Sequence, residues 1–261
     1  MDEKVKKNLK NLLLIISSFL LLFLFYYLIM AVIGSLHTYK LLIEKYTISD
    51  TTLIRFAKVN PELDSLLLQN SFLKAKSEVI ESDSIYIFLN LKDSTISLEI
   101  QGVKLHEIKF NKIRLSKFLK KSLSEFKYAY ISEPFIIEYY YATIPKVPIV
   151  VKKAPKDTIE AQKINEIPAI PPEDYVRCIF FTDKNLNIFI YQSEPPQKNH
   201  FTKWLKSSFM ERWIFMKEIL KGCVSFKIPE YKLWIKIEVP SADVKTIFRA
   251  IPVKGMIILY Y

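Results

Sequence analysis

The most constraining feature of the sequence is an uncharged apolar run of 23 residues, from Leu12 to Gly34. At about 1.5 Å of rise per residue this run forms a helix of about 34 Å, which exceeds the bilayer's hydrocarbon core of about 30 Å. A signal peptide has a shorter apolar region and a small-residue cleavage site, and the Ala-Val-Ile-Gly of residues 31–34 lacks that pattern. We therefore expect residues 12–34 to be a retained transmembrane helix.

Positive charge is concentrated on the N-terminal side of this span. Four lysines precede it, whereas the next fifteen residues after Gly34 carry only Lys40 and Lys45. The four are Lys4, Lys6, Lys7 and Lys10. Because basic flanks stay in the cytoplasm, residues 1–11 are expected to be a cytoplasmic tail. The rest of the chain is then a periplasmic portion, attached to the inner (cytoplasmic) membrane of a bacterium by a single pass.

Composition indicates a folded, basic exterior portion. Half of the chain is apolar and the net charge is +11, of which the tail contributes only +2 through four lysines and two acids. Four glycines leave no Gly-rich phosphate loop, and three histidines without metal-ligand spacing predict neither a metal nor a cofactor. An exported domain without a recognition motif is not expected to bind nucleic acid. Cys178 and Cys223 could form a disulfide or remain two free thiols.

The exterior portion is predicted to be α+β, with β-hairpins and packed helices on a helical stalk. Residues 35–82 have helical spacing and form the stalk, which Pro61 interrupts. Residues 83–144 form a first β-α unit, since period-two alternation on both sides of Lys92-Asp93-Ser94 predicts a hairpin. A strand over residues 103–110 and a helix over residues 112–126 follow.

Proline separates this unit from a second one. Residues 145–173 contain six of the thirteen prolines and are predicted to be a linker. Residues 174–261 form the second β-α unit, which opens with a hairpin turning at Asp183-Lys184-Asn185. A helix from Thr202 to Lys221 is expected to end at Gly222. Its inward face is predicted to comprise Trp204, Leu205, Phe209, Trp213, Met216 and Leu220. Strands over residues 224–228, 232–239 and 256–260 complete the unit, with a short helix capped by Ser241.

Gly222-Cys223-Val224 and the end of the chain, from Ser241 to Gly255, resemble the end of L,D-transpeptidase catalytic domains. In that family of cell-wall enzymes the resemblance implies that Cys223 is the nucleophile. However, Ser225 stands where the family has arginine, Lys221 replaces its histidine, and no His-Gly pair occurs. A thiol needs a base or a cation to become a thiolate. The favoured interpretation is a buried structural cysteine at the start of a strand.

Basic residues suggest a second kind of site. Arg114, Lys117 and Lys121 would share one face of the helix predicted over residues 112–126. Such a face could bind anionic lipid headgroups or a cell-wall polymer, although a solvated helix face has the same pattern.

Taken together, these features favour a non-catalytic, membrane-anchored interaction or structural module that binds a protein partner in an envelope complex. An L,D-transpeptidase-like enzyme using Cys223, and an oligomeric scaffold assembled through the membrane helix, remain alternatives.

Overall fold

The computed structural model of the protein describes residues 3–46, 55–57, 59–146, 175–195 and 201–261. The chain forms two compact units. The first comprises Met1–Ser49 and Ser208–Lys232, and the second comprises Asp50–Ser207 and Leu233–Tyr261. Most of the predicted linker, residues 147–173, lies outside the described residues.

The first unit is helical. Helix α1 spans Glu3–Lys45, so the helix expected over residues 12–34 is confirmed and continues for about three turns beyond Gly34. Helix α5 spans Phe201–Ser225, and its seven N-terminal residues belong to the second unit. The helix predicted from Thr202 is therefore confirmed, but it does not stop at Gly222. The strand predicted over residues 224–228 is wrong.

Helix α5 ends in a hydrogen-bonded turn rather than at a glycine. The Lys227 N–H donates to the Gly222 carbonyl at 3.0 Å, and Phe226 has a left-handed φ of 52°. This is the Schellman arrangement, in which glycine usually occupies the left-handed position. Gly222 is required for another reason: a Cβ there would lie 2.8 Å from the Lys227 carbonyl oxygen.

The second unit contains a nine-stranded mixed sheet. Its strands are β1 (Tyr86–Asn90), β2 (Thr95–Ile100), β3 (Val103–Lys109), β4 (Lys112–Leu115), β5 (Phe135–Ala142), β6 (Arg177–Thr182), β7 (Leu186–Gln192), β8 (Leu233–Val239) and β9 (Met256–Tyr260). Their order is β3-β2-β1-β9-β5-β6-β7-β8-β4. Both predicted hairpins, β1/β2 and β6/β7, are confirmed. Their turns place Ser94 and Asn185 at φ values of 57° and 61°.

The sheet curls until its two edges approach each other. Edge strands β3 and β4 are separated in sequence only by Phe110 and Asn111, a link of at most about 11 Å between Lys109 and Lys112. Strand β5 changes its partner along its length, because its first residues pair with β9 and the remainder pair with β6. The segments 83–144 and 174–261 therefore contribute interleaved strands to one sheet, with β9 between β1 and β5.

Helices of this unit whose bounds the structure describes are α2 (Pro61–Ile80), α3 (Lys117–Lys121), α4 (Ser124–Ile131) and α6 (Ser241–Ala250). Residues 55–57 and 59 are helical, and a new helix begins at Pro61, so the interruption predicted there is confirmed. The Asn60 side chain accepts from the Glu62 and Leu63 N–H groups and caps α2. Ala75 and Val79 of α2 pack on Tyr86 and Phe88 of the sheet.

The helix predicted over residues 112–126 is wrong for residues 112–115, and the helical remainder is divided in two. Residues 112–115 form β4, which pairs with β8, and two short helices follow. The Ser116 N–H donates to the Trp234 carbonyl at 2.9 Å, which extends the ladder by one residue. Pairing with a strand more than a hundred residues away overrides the local helical spacing.

Candidate functional site

Helix α1 is the described helix that is long and apolar enough to cross a membrane. Its candidate span covers Lys10–Lys45, with a mean hydropathy of 2.7 over the most apolar window. Most apolar side chains of the span are exposed in the isolated protein. Examples are Phe19, Leu20, Leu21, Phe25, Leu28, Val32 and Leu36. An apolar surface of this size in a soluble protein would be an aggregation liability.

One stripe of α1 is covered by the first unit's own chain. Met30, Gly34, Thr38 and Leu42 are buried at a spacing of four residues. Four-residue spacing places side chains on one helix face, so this stripe is a packing interface. At Gly34 and Thr38 the covering residues are Pro229 and Tyr231, which follow α5.

The contacts along this stripe follow a regular order. Tyr26 Oη donates to the Cys223 carbonyl at 3.5 Å, and the Tyr231 N–H donates to Thr38 Oγ1 at 2.9 Å. Between them, Gly34 lies so close to the segment that a Cβ would be 2.6 Å from the Pro229 carbonyl oxygen. The segment after α5 therefore runs in the same direction as α1, and glycine at position 34 permits the close approach.

The predicted inward face of α5 is wrong for four of its six residues. Leu205, Phe209, Trp213 and Met216 are exposed, whereas Trp204 and Leu220 are half-buried. The side chains beside Ala31 and Gly34 of α1 are Ile214, Phe215 and Ile219, on another face of the helix. The most apolar face of α5 thus remains uncovered by the described chain.

Cys223 lies in the last turn of α5 and not at the start of a strand, so that part of the prediction is wrong. Its expected burial is confirmed, because the residue is 3 % exposed. Both Cys178 and Cys223 are free and buried. Lys221 and Ser225, which replace the residues expected in an L,D-transpeptidase, are exposed on the same helix.

The three basic residues proposed to bind an anionic surface do not share a helix. Arg114 lies on β4, where its Nη2 donates to Glu238 Oε1 at 3.1 Å, and Lys117 and Lys121 lie on α3. Lys117, Lys120 and Lys121 are exposed. Because Arg114 is already paired with a carboxylate on β8, the exposed charge of this region resides mainly on α3.

A buried ion pair, which sequence reasoning missed, joins α2 to the sheet. Glu99 on β2 is fully buried, and Lys76 Nζ of α2 lies 3.1 Å from its Oε2. The Tyr86 and Ser97 hydroxyls also donate to this carboxylate, each at 3.0 Å. Burial, together with the Glu99 carboxylate, raises the pKa of Tyr86. Glu99 alternates with Ile96, Leu98 and Ile100, so period-two spacing assigns it to the polar face, and only the packing of α2 on that face buries it. The carboxylate is satisfied by its neighbours.

Lys184, in the turn between β6 and β7, is a buried cation. Its Nζ donates to the Glu133 carbonyl at 3.0 Å, lies 3.2 Å from the Glu133 carboxylate, and lies 5.0 Å from the centre of the Phe135 ring. Burial lowers its pKa, although the Glu133 side chain acts in the opposite direction. Its contacts stabilise the hairpin turn against the end of α4.

Within the described ranges, no cluster of three or more His, Cys, Asp or Glu side chains could hold a metal ion. His106 Nε2 lies 3.0 Å from Asp243 Oδ1. His200 falls outside the described residues.

No protein-family model, curated protein or solved structure matches this chain.

Proposed function

We propose that the protein is a non-catalytic, single-pass envelope protein of the bacterial inner membrane, whose periplasmic sheet domain binds a protein partner within a membrane complex. The exposed apolar surface of α1 carries the membrane part of this proposal. Transfer of that surface from water to lipid is favoured by about 25 cal/mol per Å² of apolar area. The lysines before residue 12 favour a cytoplasmic N-terminus.

The surroundings of the reactive side chains support a non-catalytic role. Glu99 is buried among three donors and Lys184 is buried against Glu133. The Cys223 side chain is buried in a helix, whereas a nucleophilic thiol must be accessible to its substrate. These groups have the environments of structural residues.

The outer edge of β3 is the proposed contact for the partner. Among the described strands, none pairs with this edge. Val103 and Leu105 on β3 are 63 % and 54 % exposed. An extended segment of another protein could add to such an edge through backbone hydrogen bonds, while apolar side chains on the edge provide specificity.

Features of β3 disfavour pairing between two copies of the chain. The β2–β3 register shifts between Leu98 and Glu99, and Lys104 and Lys109 lie on the strand. Bulges and lysines on edge strands oppose unspecific edge-to-edge association. We therefore expect a different protein at this edge.

Photocrosslinking in living cells tests this proposal. A benzoylphenylalanine at position 105 of the full-length protein should crosslink to one protein, whereas the same group at Leu123 should not. Leu123 is a matched control because it is 52 % exposed and lies outside the sheet. Leu105→Lys should also abolish copurification of that protein, and Leu123→Lys should not. Equal crosslinking from both positions, or none from position 105, would refute the edge as the contact.

A further inference from the structure

The end of α5 carries apolar side chains that the described chain leaves exposed. Val224 is 74 % exposed and Phe226 is 86 % exposed. They continue a row of exposed side chains on α5 that includes Phe209, Trp213 and Met216. We define residues 220–228 as the α5 tip.

The α5 tip lies beside the predicted span of α1. Tyr26 Oη contacts the Cys223 carbonyl, and the centres of the Tyr26 and Phe226 rings are 6.5 Å apart. Further along α1, Gly34 meets Pro229 and Thr38 accepts from Tyr231. Helix α5 therefore runs antiparallel to α1, the chain turns near Tyr26, and residues 226–232 then run parallel to α1.

The position of Tyr26 sets the depth of the tip. About 20 helical residues cross the hydrocarbon core, so a core that begins at Leu12 ends near Ala31. Tyr26 is five residues before Ala31, which corresponds to about 7.5 Å below the outer boundary. Interfacial helices bury their apolar faces by about 5–10 Å. The tip is therefore at the depth of the outer acyl chains.

The residue at the turn supports contact with lipid. Phe226 occupies the left-handed position that normally favours glycine. A phenylalanine there is conformationally unfavourable, and its exposure to water would be unfavourable as well. Contact with acyl chains removes the unfavourable exposure of the Phe226 ring to water. Lys221 and Lys227 are exposed near the turn, and their long side chains can extend to the headgroups.

We propose that the α5 tip is a re-entrant wedge that inserts between the acyl chains of the outer leaflet, beside the α1 span. Lipid is the occupant because the tip is continuous with the lipid-facing surface of α1. This inference rests on the proposed membrane anchor, and its experiment includes a separate probe of that anchor.

Spin-label accessibility of the full-length protein in liposomes tests the wedge. Both native cysteines are replaced by alanine, and one new cysteine is introduced for the label at Val224, Phe226, Leu22 or Val253. Leu22 probes the α1 span, and Val253 is an exposed apolar position of the sheet domain. Collisions of the label with oxygen, which is enriched in lipid, are compared with collisions with a water-soluble nickel chelate. Val224 and Phe226 should resemble Leu22, with an oxygen-to-nickel ratio several-fold above that of Val253.

The outcomes separate the wedge from the anchor. A lipid-like signal at Leu22 with a water-like signal at both tip positions would overturn the wedge and leave the anchor standing. A water-like signal at Leu22 would overturn both. Low collision rates with both reagents, together with spin-spin broadening, would show a second copy of the chain on the tip and would also overturn the lipid assignment.

Discussion

Removing the cation beside the buried Glu99 carboxylate should destabilise the sheet domain strongly. In Lys76→Met the Glu99 carboxylate remains fully buried but loses the ammonium group 3.1 Å away. Breaking a buried ion pair typically costs about 3–5 kcal/mol. The Tyr86 and Ser97 hydroxyls still donate to the carboxylate, and Lys76 is 23 % exposed, so we expect the lower part of this range. The estimate is about 2–4 kcal/mol.

Thermal unfolding of the full-length protein in detergent measures this loss. At about 2–4 °C per kcal/mol for a domain of this size, the melting temperature should fall by about 5–15 °C. Lys74→Met, two residues earlier and exposed, is the control and should change stability by less than about 0.5 kcal/mol. Glu99→Gln in the Lys76→Met protein should recover part of the loss, because no buried charge then remains. Equal melting temperatures for Lys76→Met and Lys74→Met would refute the reasoning.

Three further predictions concern a thiol, the tyrosines and the basic residues. Cys223→Ala should complement a deletion strain fully and cost at most about 1–2 kcal/mol in packing; a folded variant that loses function would favour the enzyme alternative. Burial, aided by Glu99 and Asp64, raises the pKa of Tyr86 and Tyr128 above that of an unfolded tyrosine, about 10. Their contribution to stability is therefore complete below pH 10 and is lost as the pH rises further. Absorbance of phenolate should consequently appear together with unfolding, and Tyr86→Phe should reduce the pH dependence. Finally, changing Lys117 and Lys121 to glutamine should weaken binding of the full-length protein to purified wall material, with Arg114→Gln having less effect because Arg114 pairs with Glu238. Binding that is insensitive both to these changes and to salt would contradict an electrostatic site.

Local patterns were sufficient to predict the elements whose partners are close in sequence. The run from Leu12 to Gly34 predicted a helix, which forms the middle of α1, and alternation around Ser94 and Asn185 predicted both hairpins. These elements depend on helical or period-two spacing within a few residues.

Distant contacts account for the failures. Residues 112–115 have helical spacing, but β4 forms because β8 lies beside it. Lys76 and Glu99 meet only when α2 packs on the sheet. The apolar face of α5 was expected to point inward because the spacing of Phe209, Trp213 and Met216 identifies an apolar face without identifying what covers it.

The orientation of the chain in the membrane is the central claim that one experiment can test directly. Spheroplasts that produce the full-length protein with a tag after Tyr261 are treated with protease, without and with detergent. If α1 is a single span with a cytoplasmic N-terminus, the tag should be lost without detergent while a cytoplasmic marker protein survives. A tag that is protected until detergent is added would place the sheet domain in the cytoplasm and contradict the account.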